Sequence, residues 1–283
     1  MSAPTAERDP GRVAILEKIA AYEAAGIFDR DVEDDPPTVP LDYQKVDFLG
    51  KRLSTRMATR IANRVATAYY ERLIRRGDFL LGEVRGLENF RAVTGGAVLT
   101  ANHFSPLDNY AVWRSVRADF GRRRLYKVIR EGNYTSFPGL YGYFFRHCNT
   151  LPLSSSPKGL RVMMKNAEAL LARGERILIY PEQAMWWNYK KPRPCKPGAY
   201  YMAIEAGVPV IPFFLTLTDS DRIGGDGFPI PIHTVHILPA IYPEAGLSLR
   251  EAADQMAARN YAAWRATYEE FYGIPLSYGE VTP

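Results

Sequence analysis

Cysteine is scarce in this chain of 283 residues, which has only Cys148 and Cys195. The two cysteines lack the C-x-x-C spacing that is typical of a zinc site, and no disulfide framework is indicated. We therefore expect both to be small, half-buried hydrophobic side chains in a reduced compartment. The cysteine count thus argues against a disulfide-stabilised scaffold.

Long apolar runs are missing as well. A membrane-spanning helix needs about 20 consecutive apolar residues, and the longest candidate, residues 208–217, is shorter and contains two prolines. Residues 1–11 are polar and carry both charge signs, so they lack the apolar core of a secretory signal. We expect neither a transmembrane segment nor a leader, which leaves open a protein that lies on a membrane.

Positive charge is concentrated in one short segment. Residues 1–50 contain 5 Lys or Arg and 11 Asp or Glu, a net charge of −6, whereas residues 51–76 contain 8 Lys or Arg and one acid, a net charge of +7. The whole chain has a formal net charge of +5 at pH 7. This asymmetry indicates a local partner for residues 51–76.

The same basic segment is the most periodic part of the chain. Apolar residues recur every four positions and arginines form a flanking stripe at the same interval, namely Leu53, Met57, Ile61, Val65, Tyr69 and Leu73 beside Arg52, Arg56, Arg60 and Arg64. The pattern predicts an amphipathic helix that ends near Gly77. Two interpretations stay open, because the helix either packs its apolar stripe on the domain or lies in an anionic membrane interface.

After residue 77, apolar runs that predict strands alternate with helical patterns. The predicted strands cover residues 79–86, 95–103, 124–130, 148–153, 175–182, 208–217 and 231–243. Such alternation is typical of an α/β fold, and we expect a mixed, largely parallel sheet flanked by helices, with an N-terminal helical segment. We divide the chain into this N-terminal helical segment, residues 1–77, and an α/β domain, residues 78–283.

Polar clusters follow three of the predicted strands, at residues 102–108, at residues 181–185 and around Leu153. The carboxyl ends of parallel strands are where sites form in α/β sheets, so these clusters predict a functional site. His233 and His236 lie at odd spacing in one predicted strand and therefore on opposite faces, which argues against a joint metal site.

The first cluster contains a histidine and an aspartate five residues apart. Ser105 as N-cap and Pro106 at the first helical position predict a helix that places Asp108 at its third position. Asp108 there either stabilises the helix start alone or also turns back to orient His103, whose other ring nitrogen would take a proton from a substrate hydroxyl. The chain has no G-x-S-x-G elbow, which disfavours a serine hydrolase.

Four sequence blocks in order resemble those of the glycerolipid acyltransferases, a family that includes the lysophosphatidic acid acyltransferases. NHFSPLD at residues 102–108 resembles the first block, N-H-x-S-x-x-D, and YPEQAMW at residues 180–186 is similar to the third, usually F-P-E-G-T-R. KPGA at residues 196–199 and VPVIPFF at residues 208–214 resemble the Lys-x-Gly and proline-containing blocks. The resemblance spans about residues 80–220, and four blocks in order make it specific.

This resemblance implies an O-acyltransferase in which His103 deprotonates an acceptor hydroxyl and Asp108 orients His103. The hydroxyl would attack a fatty-acyl thioester directly, with acyl-CoA or acyl carrier protein as donor and with no metal or other cofactor. The implied partners are this donor and a membrane lipid surface, with no nucleic acid. We expect a cytoplasmic protein of phospholipid biosynthesis, peripheral on the inner face of the membrane.

Two blocks depart from the family pattern, in which arginines are thought to hold the acceptor phosphate. Ser154 stands at the arginine of the second block, and Gln183, Ala184 and Met185 replace Gly-Thr-Arg of the third. Arginine suits phosphate because its planar fork donates two hydrogen bonds at once. Either other cations substitute, with the candidates Arg130, Lys158, Lys190, Lys191, Arg193 and Lys196, or the acceptor is a lysolipid or glycolipid without that phosphate. In the second case the Trp186–Trp187 pair is a candidate to stack on a sugar or to lie at the lipid interface.

We predict substrate-binding residues around the catalytic pair His103 and Asp108, namely Asn102, Ser105, Arg130, Glu182, Gln183, Lys190 and Lys196. Glu182 has two open roles, because its carboxylate would bind either acceptor hydroxyls or the backbone amides of its own turn. Two other functions stay open for the chain as a whole. One is a catalytically silent lipid-binding protein, and the other is a lipid hydrolase in which His103 and Asp108 activate water.

Overall fold

The computed structural model describes residues 7–279. Residues 1–6 of the predicted N-terminal helical segment and residues 280–283 of the predicted α/β domain lie outside the described residues. Within the described residues, the strands are β1 (Leu80–Arg85), β2 (Ala97–Thr100), β3 (Leu125–Ile129), β4 (Thr150–Pro152), β5 (Arg176–Ile179), β6 (Val210–Ile223) and β7 (Pro229–Ile237). The helices are α1 (Pro10–Ala24), α2 (Leu53–Arg76), α3 (Leu87–Arg91), α4 (Asp108–Val116), α5 (Glu131–Thr135), α6 (Gly139–His147), α7 (Pro157–Ala172), α8 (Gly198–Glu205) and α9 (Leu249–Tyr272).

The strands form one sheet in the order β1-β7-β6-β2-β5-β3-β4. Neighbouring strands are parallel except for β6 and β7, which pair antiparallel as a hairpin. The predicted mixed, largely parallel sheet flanked by helices is therefore confirmed. The parallel strands β2, β5 and β3 end at the same edge, which is where the polar clusters of the sequence lie.

Helices cover both faces of the sheet, so the core has two layers, one on each face. Leu99 of β2 faces a layer that includes residues of α2, α4 and α6, whereas its neighbour Val98 faces a layer that includes residues of α7, α8 and α9. Successive side chains of a strand point to opposite faces, so a strand that is covered on both sides is apolar throughout. This is why β2 and β5 are short, continuous apolar runs.

Helix α2 begins at Leu53, two residues after the start of the predicted segment 51–76, and ends as predicted before Gly77. The φ of 74° at Gly77 is the left-handed conformation that glycine adopts without strain. The two ends of α2 differ in their surroundings. Tyr69 and Leu73 near the C-terminal end pack against the core, whereas Leu53, Met57, Ile61 and Val65 are exposed. Only two of the six residues of the predicted apolar stripe therefore dock on the domain.

Helix α1 and the chain that follows it pack on the loop after β5. Ile19, Val32 and Trp186 form a small apolar cluster there, and the Trp186 indole donates a hydrogen bond of 2.8 Å to the carbonyl oxygen of Arg30. Trp186 is fully buried, so the expectation that it stacks on a sugar is wrong for this residue. The sequence could not show that residues more than 150 positions away cover it.

None of the helices in the described part of the chain combines the length and apolarity that a membrane span requires.

The chain enters β2 through a close contact between Gly96 and the carbonyl oxygen of Leu171 in α7. A Cβ atom on Gly96 would lie 2.1 Å from this oxygen, whereas a Cβ on the adjacent Gly95 would meet nothing within 4 Å. We expect Gly96→Ala to lower the free energy of unfolding by about 1–3 kcal/mol, because the backbone of β2 or α7 must shift. Gly95→Ala is the matched control in urea unfolding, and equal effects of the two changes would contradict this account.

Candidate active site

The predicted pair lies at the carboxyl end of β2. Nδ1 of His103 is 3.0 Å from Oδ2 of Asp108, and the same oxygen accepts hydrogen bonds from the backbone N–H groups of Phe104 and Ser105. Asp108 is fully buried, whereas the His103 side chain is 21% exposed. With Asp108 ionised, Nδ1 of His103 carries the proton and Nε2 is left as the free base.

The predicted start of α4 is wrong by two residues. The helix begins at Asp108, and Leu107, rather than Ser105, occupies the N-cap position. Ser105 instead accepts a hydrogen bond from the N–H of Leu107 through its hydroxyl at 3.2 Å, and the serine is buried. The tight turn at residues 104–107, and not a helix cap, therefore directs the Asp108 carboxylate back to His103.

The His103 ring is fixed on one side by Tyr180, which follows β5. The two ring centroids are 3.9 Å apart and the planes are inclined by 17°. Burial raises the pKa of Tyr180 well above its ordinary value, so its hydroxyl stays neutral. Sequence reasoning did not select Tyr180, although it is the first residue of the YPEQ block.

Glu182 supports the His103 loop from behind. Its Oε2 accepts a hydrogen bond of 3.0 Å from the N–H of His103 and lies 2.7 Å from Nη2 of Arg193, while its Oε1 accepts from the N–H of Arg193. Both side chains are almost fully buried. Glu182 therefore binds backbone amides, but those of His103 and Arg193 and not those of its own turn, and it does not face an acceptor.

Arg193 is equally committed to internal contacts. Its guanidinium donates to the backbone carbonyl oxygens of Phe28, His103 and Ala184, in addition to its ion pair with Glu182. The expectation that Arg193 is a free cation for phosphate is therefore wrong. The sequence placed it in a basic loop, and only the fold brings the buried carboxylate to it.

Asn102 also has a structural position that conflicts with its predicted substrate-binding role. Its amide donates to the carbonyl oxygen of Leu215 at 2.9 Å and accepts from the N–H of the same residue at 2.8 Å. These bonds join the end of β2 to β6, and the side chain is buried. Asn102 and Ser105 thus shape the turn that carries His103 and do not line the cavity described next.

A cavity of about 1760 Å³ opens beside His103. It exceeds the ~300–1,000 Å³ that is common for small-molecule sites. The wall is rich in large apolar and aromatic side chains from α2, α4, α6 and α7, including Met57, Tyr70, Trp113, Tyr141, Phe144, Phe145, Leu160 and Met163. Such a wall suits a long apolar ligand.

Three of the predicted polar residues line this cavity, namely Arg130, Gln183 and Lys196. Lys190 is not among the lining residues and lies 3.5 Å from Asp219. Lys191 pairs with Glu23 on α1. The three lysines of this basic loop thus have different surroundings, and among them only Lys196 lines the cavity.

Ser154, at the position of the second-block arginine, is buried beside Glu131 of α5. Glu131 accepts a hydrogen bond of 2.7 Å from the N–H of Leu41 and another from the N–H of Ser155. The position that carries an arginine in the family pattern therefore contacts a carboxylate that anchors the N-terminal chain here.

Within residues 7–279, no group of three or more His, Cys, Asp or Glu side chains is arranged to hold a metal ion.

The Glu182–Arg193 pair gives a stability prediction. Removal of one partner from a buried ion pair leaves an uncompensated charge and typically costs about 3–5 kcal/mol. We expect a loss of this size for Arg193→Met in urea unfolding. Lys190→Met, from the same loop, is the control, because its partly exposed pair with Asp219 should contribute no more than about 1 kcal/mol. A small loss for Arg193→Met would show that the pair does not hold the loop.

Comparisons with known proteins agree with this geometry. Residues 82–216 match the family model described as Acyltransferase. A comparison with curated protein sequences finds no significant match. The crystal structure of the 1-acyl-sn-glycerophosphate (LPA) acyltransferase PlsC from Thermotoga maritima is similar with a TM-score of 0.50 and 17% sequence identity, over 94% of this chain and 97% of that chain. The chain therefore shares the α/β fold of that protein, and its residues 82–216 are similar to the Acyltransferase domain family.

Proposed function

We propose that this acyltransferase transfers a fatty-acyl group from acyl-CoA or acyl carrier protein to a hydroxyl of a lysophospholipid or another glycerolipid. The observation that carries the proposal is the hydrogen bond of 3.0 Å between His103 and the buried Asp108 at the mouth of a large apolar cavity. A base at such a mouth is suited to activate a hydroxyl that belongs to a lipid.

In the proposed reaction, Nε2 of His103 takes the proton from the acceptor hydroxyl as its oxygen attacks the thioester carbonyl carbon. A carbon–oxygen bond forms, the carbon–sulfur bond then breaks, and the proton passes from His103 to the leaving thiolate. Asp108 keeps the imidazole in the required tautomer and stabilises the imidazolium that forms. Tyr180 restrains the ring plane by stacking on it.

Helix α2 supports a location at the membrane surface. Leu53 and Met57 are 69% and 57% exposed, and Ile61 and Val65 continue this apolar stripe. Exposed large apolar side chains at helical spacing beside a stripe of arginines are typical of interfacial helices. Because α2 also lines the cavity, a lipid would pass from the bilayer to His103 along this helix. We propose the inner face of the cytoplasmic membrane as this location.

His103→Ala tests the catalytic role. We expect transfer of an oleoyl group from oleoyl-CoA or oleoyl–acyl carrier protein to a panel of lysolipids to fall by about 10²–10⁴-fold, since general-base catalysis typically contributes this much. The lipid product and the released thiol are both measured. His147→Ala is the control, because His147 lies outside the cavity lining and its ring contacts Tyr143.

The same assay separates the alternatives. Equal transfer by wild type and His103→Ala would overturn the catalytic proposal. His103-dependent release of free fatty acid instead of an acylated lipid would indicate a hydrolase, and donor binding without turnover would indicate a lipid-binding protein.

The membrane proposal predicts that replacement of the arginine stripe weakens vesicle binding. Each arginine near an anionic surface contributes about 1 kcal/mol, so we expect the variant with Gln at positions 52, 56, 60 and 64 to bind at least about tenfold more weakly. The vesicles contain phosphatidylcholine and phosphatidylglycerol, and the difference should narrow at high salt. The matched control places Gln at four exposed cations in or next to α7, namely Lys158, Arg161, Lys165 and Arg173. Equal losses for both variants would indicate net charge alone.

A further inference from the structure

The two cations nearest to the YPEQ loop in the cavity wall are already paired with carboxylates. Arg130 contacts Asp31 and lies 3.5 Å from Asp35 through the same nitrogen, Nη1, and its Nη2 donates to the carbonyl oxygen of Gln183. Nζ of Lys196 lies 2.7 Å from Oδ2 of Asp29. All three carboxylates belong to residues 29–35, which we name the acidic segment.

The acidic segment is held in place by contacts of its own. Val32 is buried, the carbonyl oxygen of Arg30 accepts the hydrogen bond from Trp186, and Glu33 pairs with Arg12 of α1 at 2.8 Å. The hydrogen bond and the positive charge of Lys196 keep the pKa of Asp29 below its ordinary value. The segment is therefore a built part of the cavity wall.

The acidic segment makes this part of the cavity unfavourable for a dianion. Five of its side chains line the cavity, namely Asp29, Asp31, Glu33, Asp34 and Asp35, against the two paired cations. A phosphate monoester would have to displace Asp31 and Asp35 from Arg130 and then remain beside them. Ser154 and the residues Gln183–Met185, which stand where the family pattern has arginines, supply no further cation.

We propose that Asp29, Asp31 and Asp35 determine acceptor specificity, by occupying Arg130 and Lys196 so that the site takes glycerolipid acceptors with an uncharged head and rejects those with a phosphate monoester. The inference rests on the proposed function and narrows its acceptor class. The remaining cations of the cavity wall lie on α2 and around β3, at Arg56, Arg60, Arg64, Arg123, Arg124 and Lys127. A phosphate held by those residues would be insensitive to the acidic segment.

The test compares kcat/KM for 1-monooleoylglycerol and for 1-oleoyl lysophosphatidic acid with one thioester donor. We expect wild type to favour the uncharged acceptor, and the double variant Asp31→Asn/Asp35→Asn to shift the ratio toward the phosphorylated acceptor by about tenfold, because Nη1 of Arg130 is released from both carboxylates and can donate to phosphate. Asp29→Asn should shift the ratio in the same direction by freeing Lys196. Thermal unfolding of each variant verifies that the fold is retained.

Asp34→Asn is the matched control, since Asp34 lines the cavity and loses the same charge but makes no ion pair or hydrogen bond with any residue of the described range 7–279. Its acceptor ratio should shift much less than that of the double variant, because neither Arg130 nor Lys196 is released. The proposal is overturned if wild type favours lysophosphatidic acid, if the double variant leaves the ratio unchanged, or if Asp34→Asn shifts it equally. His103-dependent transfer only to a third class of acceptor would also overturn it. The proposed function fails separately, when no acceptor is acylated in a His103-dependent manner.

Discussion

The buried ion pair between Glu182 and Arg193 is the interaction on which the site depends. It connects the loop after β5 to the backbone of His103, and through Arg193 it also reaches the carbonyl oxygen of Phe28 ahead of the acidic segment. A charge pair of this kind is favourable in a protein interior only when further hydrogen bonds satisfy its remaining donors and acceptors. Those bonds are made to the loop of His103 and to Phe28, just ahead of the acidic segment, so the pair holds His103 and this part of the cavity wall in one arrangement.

The fold was predictable from the sequence to a large extent, because apolar runs and helical periodicity are local signals. The predicted strand at residues 231–243 ends already at Ile237. The extension of β6, which was also missed, has no such signal. Strand β6 continues to Ile223, six residues beyond its predicted end, and residues 218–223 are mostly exposed and polar. These residues pair antiparallel with β7 outside the core. Because they are mostly exposed, they need not be apolar.

The candidate site was predictable where a few neighbouring residues decide the geometry. The contact of His103 with Asp108 follows from the spacing, even though the turn that creates it differs from the predicted helix cap. Arg193 was misjudged, and the acidic segment was not selected, because their partners are distant in sequence, with Asp31 separated from Arg130 by 99 positions. The sequence alone does not show which of these charges face each other in the fold.

Helix α2 belongs both to the outer surface of the protein and to the wall of the cavity. Its arginines and exposed apolar residues belong to the outer surface, and several of them also form the cavity wall. At the proposed membrane location, the depth of α2 among the lipid headgroups would therefore set which atoms of a bilayer lipid are level with His103. Regioselectivity among the hydroxyls of one acceptor would then depend on bilayer composition as well as on the residues of the pocket.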